Sequence, residues 1–296
     1  MTATSRPQHM VTRFAPSPTG RLHIGHAWSA LMAHDAARAS DCTFRLRIED
    51  IDGARSREEH VAGIVEDMAW LDIGWDGDLV RQSERLPLYQ SALDRLKAMG
   101  LAYPCFCTRA EIAAEVAASA SAPHGPDGAL YPGTCRALTD GERAERMAKQ
   151  PHAWRIDMAK AVVLTGPLHW MDEVRGRIDA DPAAAGDVVL ARKDAPTSYH
   201  LAATVDDADM GVNFVLRGED LLAATGIHRL LQALLGLPTP LYRHHPLLAG
   251  PDGKRLAKRT GGIALAELRA AGADPLALAR DLRAGVFPVG ISLAGA

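Results

Sequence analysis

The residues from Met10 to Ala39 leave this chain little choice of fold. An apolar strand over Met10–Ala15 runs into the turn Pro16-Ser17-Pro18-Thr19-Gly20, and an alanine-rich helix follows across Ile24–Ala39. A second strand over Thr43–Ile48 completes a βαβ opening. The helix begins near His23, so its first backbone N–H groups and the positive end of its dipole point out of the turn, where phosphates bind well. Gly25 leaves room for a flat base to approach the backbone. His23 and His26 lie on one helix face, and their imidazoles can donate to phosphate oxygens.

Further along, Ser56-Arg57-Glu58-Glu59 has capping-box spacing and introduces an amphipathic helix with Val61, Ile64, Val65 and Met68 on its apolar side. A helix over Leu88–Met99 stops at Gly100. From Ala102 to about Pro151 the character changes. Cysteines, a second capping-box pattern at Thr108–Glu111, and a Ser/Ala/Pro/Gly stretch over Ser119–Gly128 predict a surface insertion. Parallel-sheet strands are expected to resume at Asp187–Ala191, Tyr199–Ala202 and Val212–Leu216, with a helix over Gly226–Leu235 ending at Gly236. Strands alternating with helices and split by an insertion predict an α/β fold, a Rossmann-like doubly wound parallel sheet interrupted by a smaller module. The length of 296 residues fits two linked modules.

The formal net charge is −3, so there is no global basic field, and any RNA contact must come from local patches. No apolar run approaches the ~18 residues that span a bilayer, and the polar start lacks a signal-peptide core; a cytoplasmic protein is expected, without a membrane partner. The four cysteines are unevenly spaced, which favours thiols or metal ligands over disulfides. Cys105-Phe106-Cys107 and Cys135 bring three thiolates from two short loops. That set suits a tetrahedral Zn²⁺ with one place left for an oxygen or nitrogen donor. Four protein ligands would leave no open position, so the zinc is expected to be structural. Cys42 reads as core, and His244 and His245 as ordinary structural residues.

Several separated blocks carry a resemblance. They are Arg13-Phe14-Ala15-Pro16-Ser17-Pro18-Thr19-Gly20, Arg47-Ile48-Glu49-Asp50-Ile51-Asp52, Arg81-Gln82-Ser83-Glu84-Arg85, Tyr199-His200-Leu201-Ala202, Arg217-Gly218-Glu219-Asp220 and the basic loop Gly253-Lys254-Arg255-Leu256-Ala257-Lys258-Arg259. Together, from about Val11 to Thr260, they resemble the class I aminoacyl-tRNA synthetases and, within these, the glutamyl-tRNA synthetases. The basic loop departs from the family's usual Lys-Leu-Ser-Lys-Arg: Ala257 removes a hydroxyl, while Lys258 is retained. The resemblance implies that His23, His26 and Lys258 are catalytic. It implies further that Pro16, His23, Gly25, His26, Glu219, Leu256 and Lys258 bind ATP, accompanied by Mg²⁺. L-Glutamate presents two carboxylates and an ammonium, and the matching pocket residues answer with Arg13 and Arg217 for the carboxylates and Glu49 for the ammonium. Ala15, Ser17 and Tyr199 line the remaining walls. Which arginine takes which carboxylate stays open at this point. For the zinc, the resemblance nominates Tyr131 as fourth ligand to Cys105, Cys107 and Cys135, with His124 as its rival.

Residue character and the resemblance together divide the chain into a disordered tail over 1–9, the first half of the catalytic domain over 10–101, and a zinc-binding insertion over 102–151. The rest of an acceptor-side insertion follows over 152–185, and the second catalytic half, with the basic ATP loop and a short helical C-terminus, over 186–296. Full glutamyl-tRNA synthetases continue into helical domains that grip the anticodon, and too few residues follow Thr260 here for another such domain. The pattern therefore resembles the truncated family of glutamyl-queuosine tRNA(Asp) synthetases. That resemblance implies a monomeric enzyme that activates L-glutamate with ATP in the absence of tRNA, then transfers it to queuosine in the anticodon of tRNA(Asp). Two alternatives stay open: a shortened glutamyl-tRNA synthetase loading a tRNA 3′ end, and a catalytically silent RNA-binding paralogue.

Overall fold

A computed structural model of the chain describes residues 6–39, 42–118, 124–125, 128–256 and 263–294. The opening unit is β1 (Val11–Phe14), α1 (Ile24–Arg38) and β2 (Thr43–Ile48), with β1 and β2 parallel. Ala27, Ala30, Ala33 and Ala37 of α1 are buried, so the helix backbone packs close against the sheet. α2 (Glu58–Trp70) leads to β3 (Val80–Arg81), which adds to the far side of β2, again parallel. α3 (Leu86–Ala98) then closes at Gly100, whose φ of 68° is the left-handed conformation that ends a helix.

The capping box expected at Ser56 does not form. Arg55 and Ser56 both donate their N–H to the Asp52 carbonyl, so the chain is still turning there, and α2 starts behind Arg57 without a side-chain cap. The second expected box does form: the Glu111 carboxylate accepts from Thr108 N–H at 2.6 Å and Thr108 Oγ1 accepts from Glu111 N–H at 3.2 Å.

The middle of the chain holds β4 (Ala102–Cys105), α4 (Arg109–Ala118), the short pair β5 (His124–Gly125) and β6 (Gly128–Ala129), and α5 (Asp140–Lys149). β7 (Ala153–Ile156), α6 (Met158–Thr165), β8 (His169–Asp172), β9 (Gly176–Asp179) and β10 (Val189–Ala191) follow. β4, β7 and β10 form a separate antiparallel sheet, with an irregularity between Val189 and Ala191. The segment Asp187–Ala191, expected as a returning parallel strand, thus belongs to this smaller sheet. An apolar run of that length does not disclose which neighbour it pairs with.

α7 (Tyr199–Asp209) corrects a second strand expectation. Ser198 caps it by accepting from Leu201 N–H, and Leu201, Ala202 and Val205 recur at helical spacing on its packed side. The main sheet resumes with β11 (Phe214–Gly218), followed by α8 (Leu222–Leu235) and β12 (Leu241–His245), which is parallel to β11. β8 pairs parallel with β12 and antiparallel with β9. β13 (Leu248–Ala249), α9 (Leu265–Ala270), α10 (Pro275–Arg283) and β14 (Ser292–Leu293) complete the described chain.

β1 and β11 face each other across the middle. Asn213 N–H donates to the Val11 carbonyl at 3.1 Å, and Val11 N–H donates to Asn213 Oδ1 at 2.8 Å. The sheet β3-β2-β1 and the sheet β11-β12-β8-β9 therefore abut at β1 and β11 and run outward from there in both directions. That is a doubly wound arrangement, in which ligands collect at the carboxyl ends of the two strands flanking the switch. Among the described residues, no helix is long and apolar enough to cross a membrane.

Candidate active site

A cavity of about 460 Å³ opens where the switch point predicts it, at the ends of β1, β11 and β12 and beside the start of α1. Arg13, Ala15, Pro16, Ser17, His23, Gly25, His26, Glu49, Tyr199, Arg217 and Leu256 all line it. These residues are drawn from six separate stretches of sequence. Glu219 lies outside the lining: its carboxylate pairs with Arg175 at 3.0 Å, and its neighbours Gly218 and Asp220 face the cavity instead. Lys258 and Ala257 lie outside the described residues. The described residues on either side of that segment reach the site, since Leu256 lines the cavity and Ala264 forms a β-bridge with His23.

The two arginines differ in how their charge is met. Arg13 donates through Nε to Asp207 Oδ1 at 3.0 Å, a pair that shares its charge. Arg217 is 5% exposed, and its partners are neutral: His244 Nε2 (3.3 Å), His228 Nδ1 (3.3 Å), Tyr199 Oη (3.4 Å), Thr225 Oγ1 (2.8 Å) and the Leu221 carbonyl (3.3 Å). Among the described residues no carboxylate pairs with it. Burial, with the Arg217 charge second, holds the His228 imidazole well below its usual range, so this ring accepts as a neutral group.

Glu49 is the acidic counterpart. Its Oε1 accepts from Arg47 Nη2 at 3.1 Å, yet burial outweighs that guanidinium and pushes the carboxyl up from its ordinary value. Arg47 is fully buried and organises the floor, meeting Asp207 at 2.6 Å, Glu49 at 3.1 Å and Asp206 at 3.7 Å. Asp206 in turn accepts from Gln82, Arg85 and Tyr89. Sequence reasoning did not find Asp206, Asp207 or the supporting role of Arg47. The available signal was two adjacent acids inside an otherwise apolar segment, a pattern that requires buried cations once the segment is read as a helix.

At the start of α1, His23 is the N-cap. Its Nδ1 accepts from Gly25 N–H at 3.1 Å, and His26 Nδ1 accepts from His23 N–H at 3.1 Å. The ring centroids are 3.8 Å apart. An Nδ1 that accepts carries no proton, so each neutral ring bears its hydrogen on Nε2.

The second candidate site lies in the insertion. The sulfurs of Cys105, Cys107 and Cys135 all lie within 4.8 Å of one another, with Cys107 and Cys135 at 3.5 Å, near the ~3.8 Å edge of a tetrahedron with 2.3 Å metal–sulfur bonds. Tyr131 Oη is 3.6 Å from Cys107 Sγ and accepts from Cys135 N–H at 2.8 Å. Burial pushes the Cys107 thiol up to about 11, while at Cys135 burial is outweighed by hydrogen bonds, those of Tyr131 and the Phe106 N–H first, which hold that thiol below its ordinary value; a cation would favour the thiolate at Cys107 as well. The donor set therefore fits a metal. The His124 side chain lies outside the described residues. Cys42 is buried in the main core, as expected.

Known proteins are similar to this chain over most of its length. The catalytic-domain family of class I tRNA synthetases (E and Q) matches residues 9–292. The Glutamyl-Q tRNA(Asp) synthetase of Rhodobacter capsulatus is 50% identical, with 92% of this chain and 99% of that protein aligned. Glutamate–tRNA ligase 1 of Ruegeria pomeroyi is 41% identical over 90% of this chain but only 58% of its own length. Among solved structures, a glutamate tRNA ligase from Elizabethkingia meningosepticum in complex with its amino acid superposes with a TM-score of 0.72 at 30% identity. That match covers 85% of this chain, which spans about half of the larger protein. On the family match and these identities, this chain belongs to the class I aminoacyl-tRNA synthetases of the E and Q type and carries their catalytic domain.

Proposed function

We propose that the protein activates L-glutamate with ATP and transfers it to queuosine in tRNA(Asp). One observation carries the amino-acid part. Within a single cavity, the buried cation Arg217 has no carboxylate partner among the described residues, and the mostly buried carboxylate of Glu49 is incompletely offset by its own cation, Arg47. A ligand bearing a carboxylate and an ammonium answers both. Arg217 is the stronger seat for a carboxylate because the charge of Arg13 is already shared with Asp207. Ala15, Ser17 and Tyr199 close the walls around it.

In this reading an α-carboxylate oxygen of glutamate attacks the α-phosphorus of ATP, and the bond to the β-phosphate oxygen breaks, releasing pyrophosphate. A hydroxyl of the acceptor then attacks the acyl carbon and AMP leaves. His23 and His26 donate to the phosphate oxygens as charge builds, Lys258 adds a cation, and Pro16, Gly25 and Leu256 complete the nucleotide side. Mg²⁺ accompanies ATP. The names of the relatives that match over most of their own length support the acceptor, and the cytoplasm is where that acceptor is met.

Protein free of RNA is expected to exchange labelled pyrophosphate into ATP only when glutamate is present. It is expected to label tRNA(Asp) that carries queuosine and not the unmodified transcript. Equal labelling of both, or labelling of tRNA(Glu) alone, would contradict the acceptor; absence of glutamate-dependent exchange would favour the catalytically silent alternative.

For the insertion we propose one structural Zn²⁺ held by Cys105, Cys107, Cys135 and Tyr131, closing the loops around Phe106. Replacing Cys105 by Ser is expected to lower zinc from one per chain to a small fraction and to make the insertion more sensitive to protease. Unchanged metal content in that variant would remove Cys105 from the ligand set.

A further inference from the structure

Beneath Arg217 lies a polar chain that no substrate-binding role uses. Parallel pairing of β11 with β12 sets Arg217 opposite His244, and pairing of β12 with β8 sets Tyr242 opposite Asp172. His244 is 2% exposed and Asp172 is fully buried. Oδ2 of Asp172 accepts from the His244 backbone N–H at 3.1 Å and from its ring Nδ1 at 2.9 Å, while Oδ1 accepts from Val174 and Arg175 N–H, each at 3.0 Å.

An ionised carboxylate can only accept, so Nδ1 of His244 must carry the ring proton. Its Nε2 is then an acceptor, and Arg217 Nε donates to it at 3.3 Å. The charge states agree with this. Burial would raise the Asp172 carboxyl, but its bonds, the His244 ring bond first, hold it at about 2. Burial and the Arg217 charge hold the His244 imidazole below its usual value against the pull of Asp172.

We propose that Asp172 and His244 are a positioning pair for amino-acid recognition: Asp172 fixes the tautomer of His244, and His244 fixes the Nε edge of Arg217 so that Nη1 lies toward Tyr199 on the cavity wall. This deepens the reading of Arg217 as the carboxylate seat and rests on it. The arrangement has a purpose that packing alone does not need. A direct aspartate, as at Arg13, would occupy the guanidinium fork. A negative charge one neutral imidazole away stabilises the buried cation and leaves its fork on neutral partners, Tyr199, His228, Thr225 and the Leu221 carbonyl, which a ligand carboxylate outcompetes more readily than a bound aspartate.

The test is pyrophosphate exchange with purified full-length variants. His244→Phe keeps a ring to stack on Tyr242, whose ring now lies 5.8 Å away at 11°, and removes the ring's hydrogen bonds to Asp172, Arg217 and Thr225. It is expected to raise KM for glutamate about 10- to 100-fold, the cost of a lost hydrogen bond to a charged group, with kcat and KM for ATP within about threefold of wild type. The preference for glutamate over glutamine should fall in parallel. His244→Gln, whose amide offers a donor and an acceptor, is expected to recover most of the loss.

An unchanged glutamate KM in folded His244→Phe, or equal rises for glutamate and ATP, overturns the proposal. If that variant is insoluble, Asp172→Asn reads the same device. Its amide N–H₂ facing Nδ1 would force the proton onto Nε2 and set two donors against each other at Arg217, so an unchanged glutamate KM there overturns the proposal equally. Arg217→Met separates the layers. If it raises glutamate KM while His244→Phe does not, the positioning role alone fails; if neither variant moves it, the carboxylate assignment fails and takes the positioning role with it.

Discussion

Arg47→Met is expected to cost about 3–5 kcal/mol of folding stability, read as a lower urea midpoint with an unchanged slope. The guanidinium is completely buried and meets three carboxylates, Asp207 at 2.6 Å, Glu49 at 3.1 Å and Asp206 at 3.7 Å. Asp206 keeps Gln82, Arg85 and Tyr89, and Asp207 keeps Arg13, but Glu49 loses the guanidinium that partly offsets its burial. Methionine fills the volume without supplying charge, so the penalty is that of stranded anions and not of a void.

The acid limb carries the same signature. Burial raises the Asp207 carboxyl, and Arg13 and Arg47 outweigh it, holding it at about 2. A carboxyl held that low in the folded state contributes stability that is complete above its unfolded value of about 3.9 and drains away as pH falls toward the folded value. Without Arg47 the folded value rises toward the unfolded one and that contribution shrinks. The variant should therefore unfold in acid at a higher pH than wild type. A urea midpoint equal to wild type would mean that Arg13 alone can hold Asp207 and that Arg47 is dispensable to the floor. Arg47→Lys should fall between the two, because a point charge cannot bridge three carboxylates as a planar fork does.

The elements legible in the sequence are those whose signal is local. β1, α1 and β2 follow from an apolar run, a Pro/Gly turn and an alanine-rich stretch, and the residues of the cavity sit in blocks long enough to be recognised. What escaped depends on pairing across distance. β10 has a parallel strand's composition but lies antiparallel against β7, and nothing inside Asp187–Ala191 encodes that choice. Tyr199–Ala202 looked like a strand only because four residues are too few to separate periods of 2 and 3.6. Ser198 before it and Val205 after it restore the helix.

Arg47, Asp207 and His244 were invisible as a set because they come from three remote elements, and ordinary exposure is the default expectation for each of the two charged ones. His244 in particular carries no local signal of a role. Its consequence for Arg217 exists only because β11 and β12 pair in the observed register.

His23→Asn is expected to lower kcat of glutamate-dependent pyrophosphate exchange about 10²- to 10³-fold, the range seen when a transition-state donor is removed. Folding stability should stay within about 1 kcal/mol of wild type. The separation follows from how the two histidines divide their nitrogens. His23 Nδ1 caps α1 by accepting from Gly25 N–H, and His26 Nδ1 returns to His23 N–H, so the backbone consumes one nitrogen of each ring and leaves Nε2 as the hydrogen bearer. Asparagine can reproduce the cap, since its Oδ1 accepts from the same N–H groups, but its short amide cannot reach where Nε2 does.

His26→Ala makes the converse comparison, because it removes the Nε2 donor and the capping bond together. It should show a similar rate loss plus about 0.5–2 kcal/mol of instability. KM for glutamate should change little in either variant, since the proposed site holds the amino acid at Arg217 and Glu49 and assigns the histidines to the developing phosphate charge. If His23→Asn retained wild-type kcat while keeping its fold, the ring at 23 would be a helix cap and no more, and the developing charge would have to be met by His26, Lys258 and the N-terminal amides of α1.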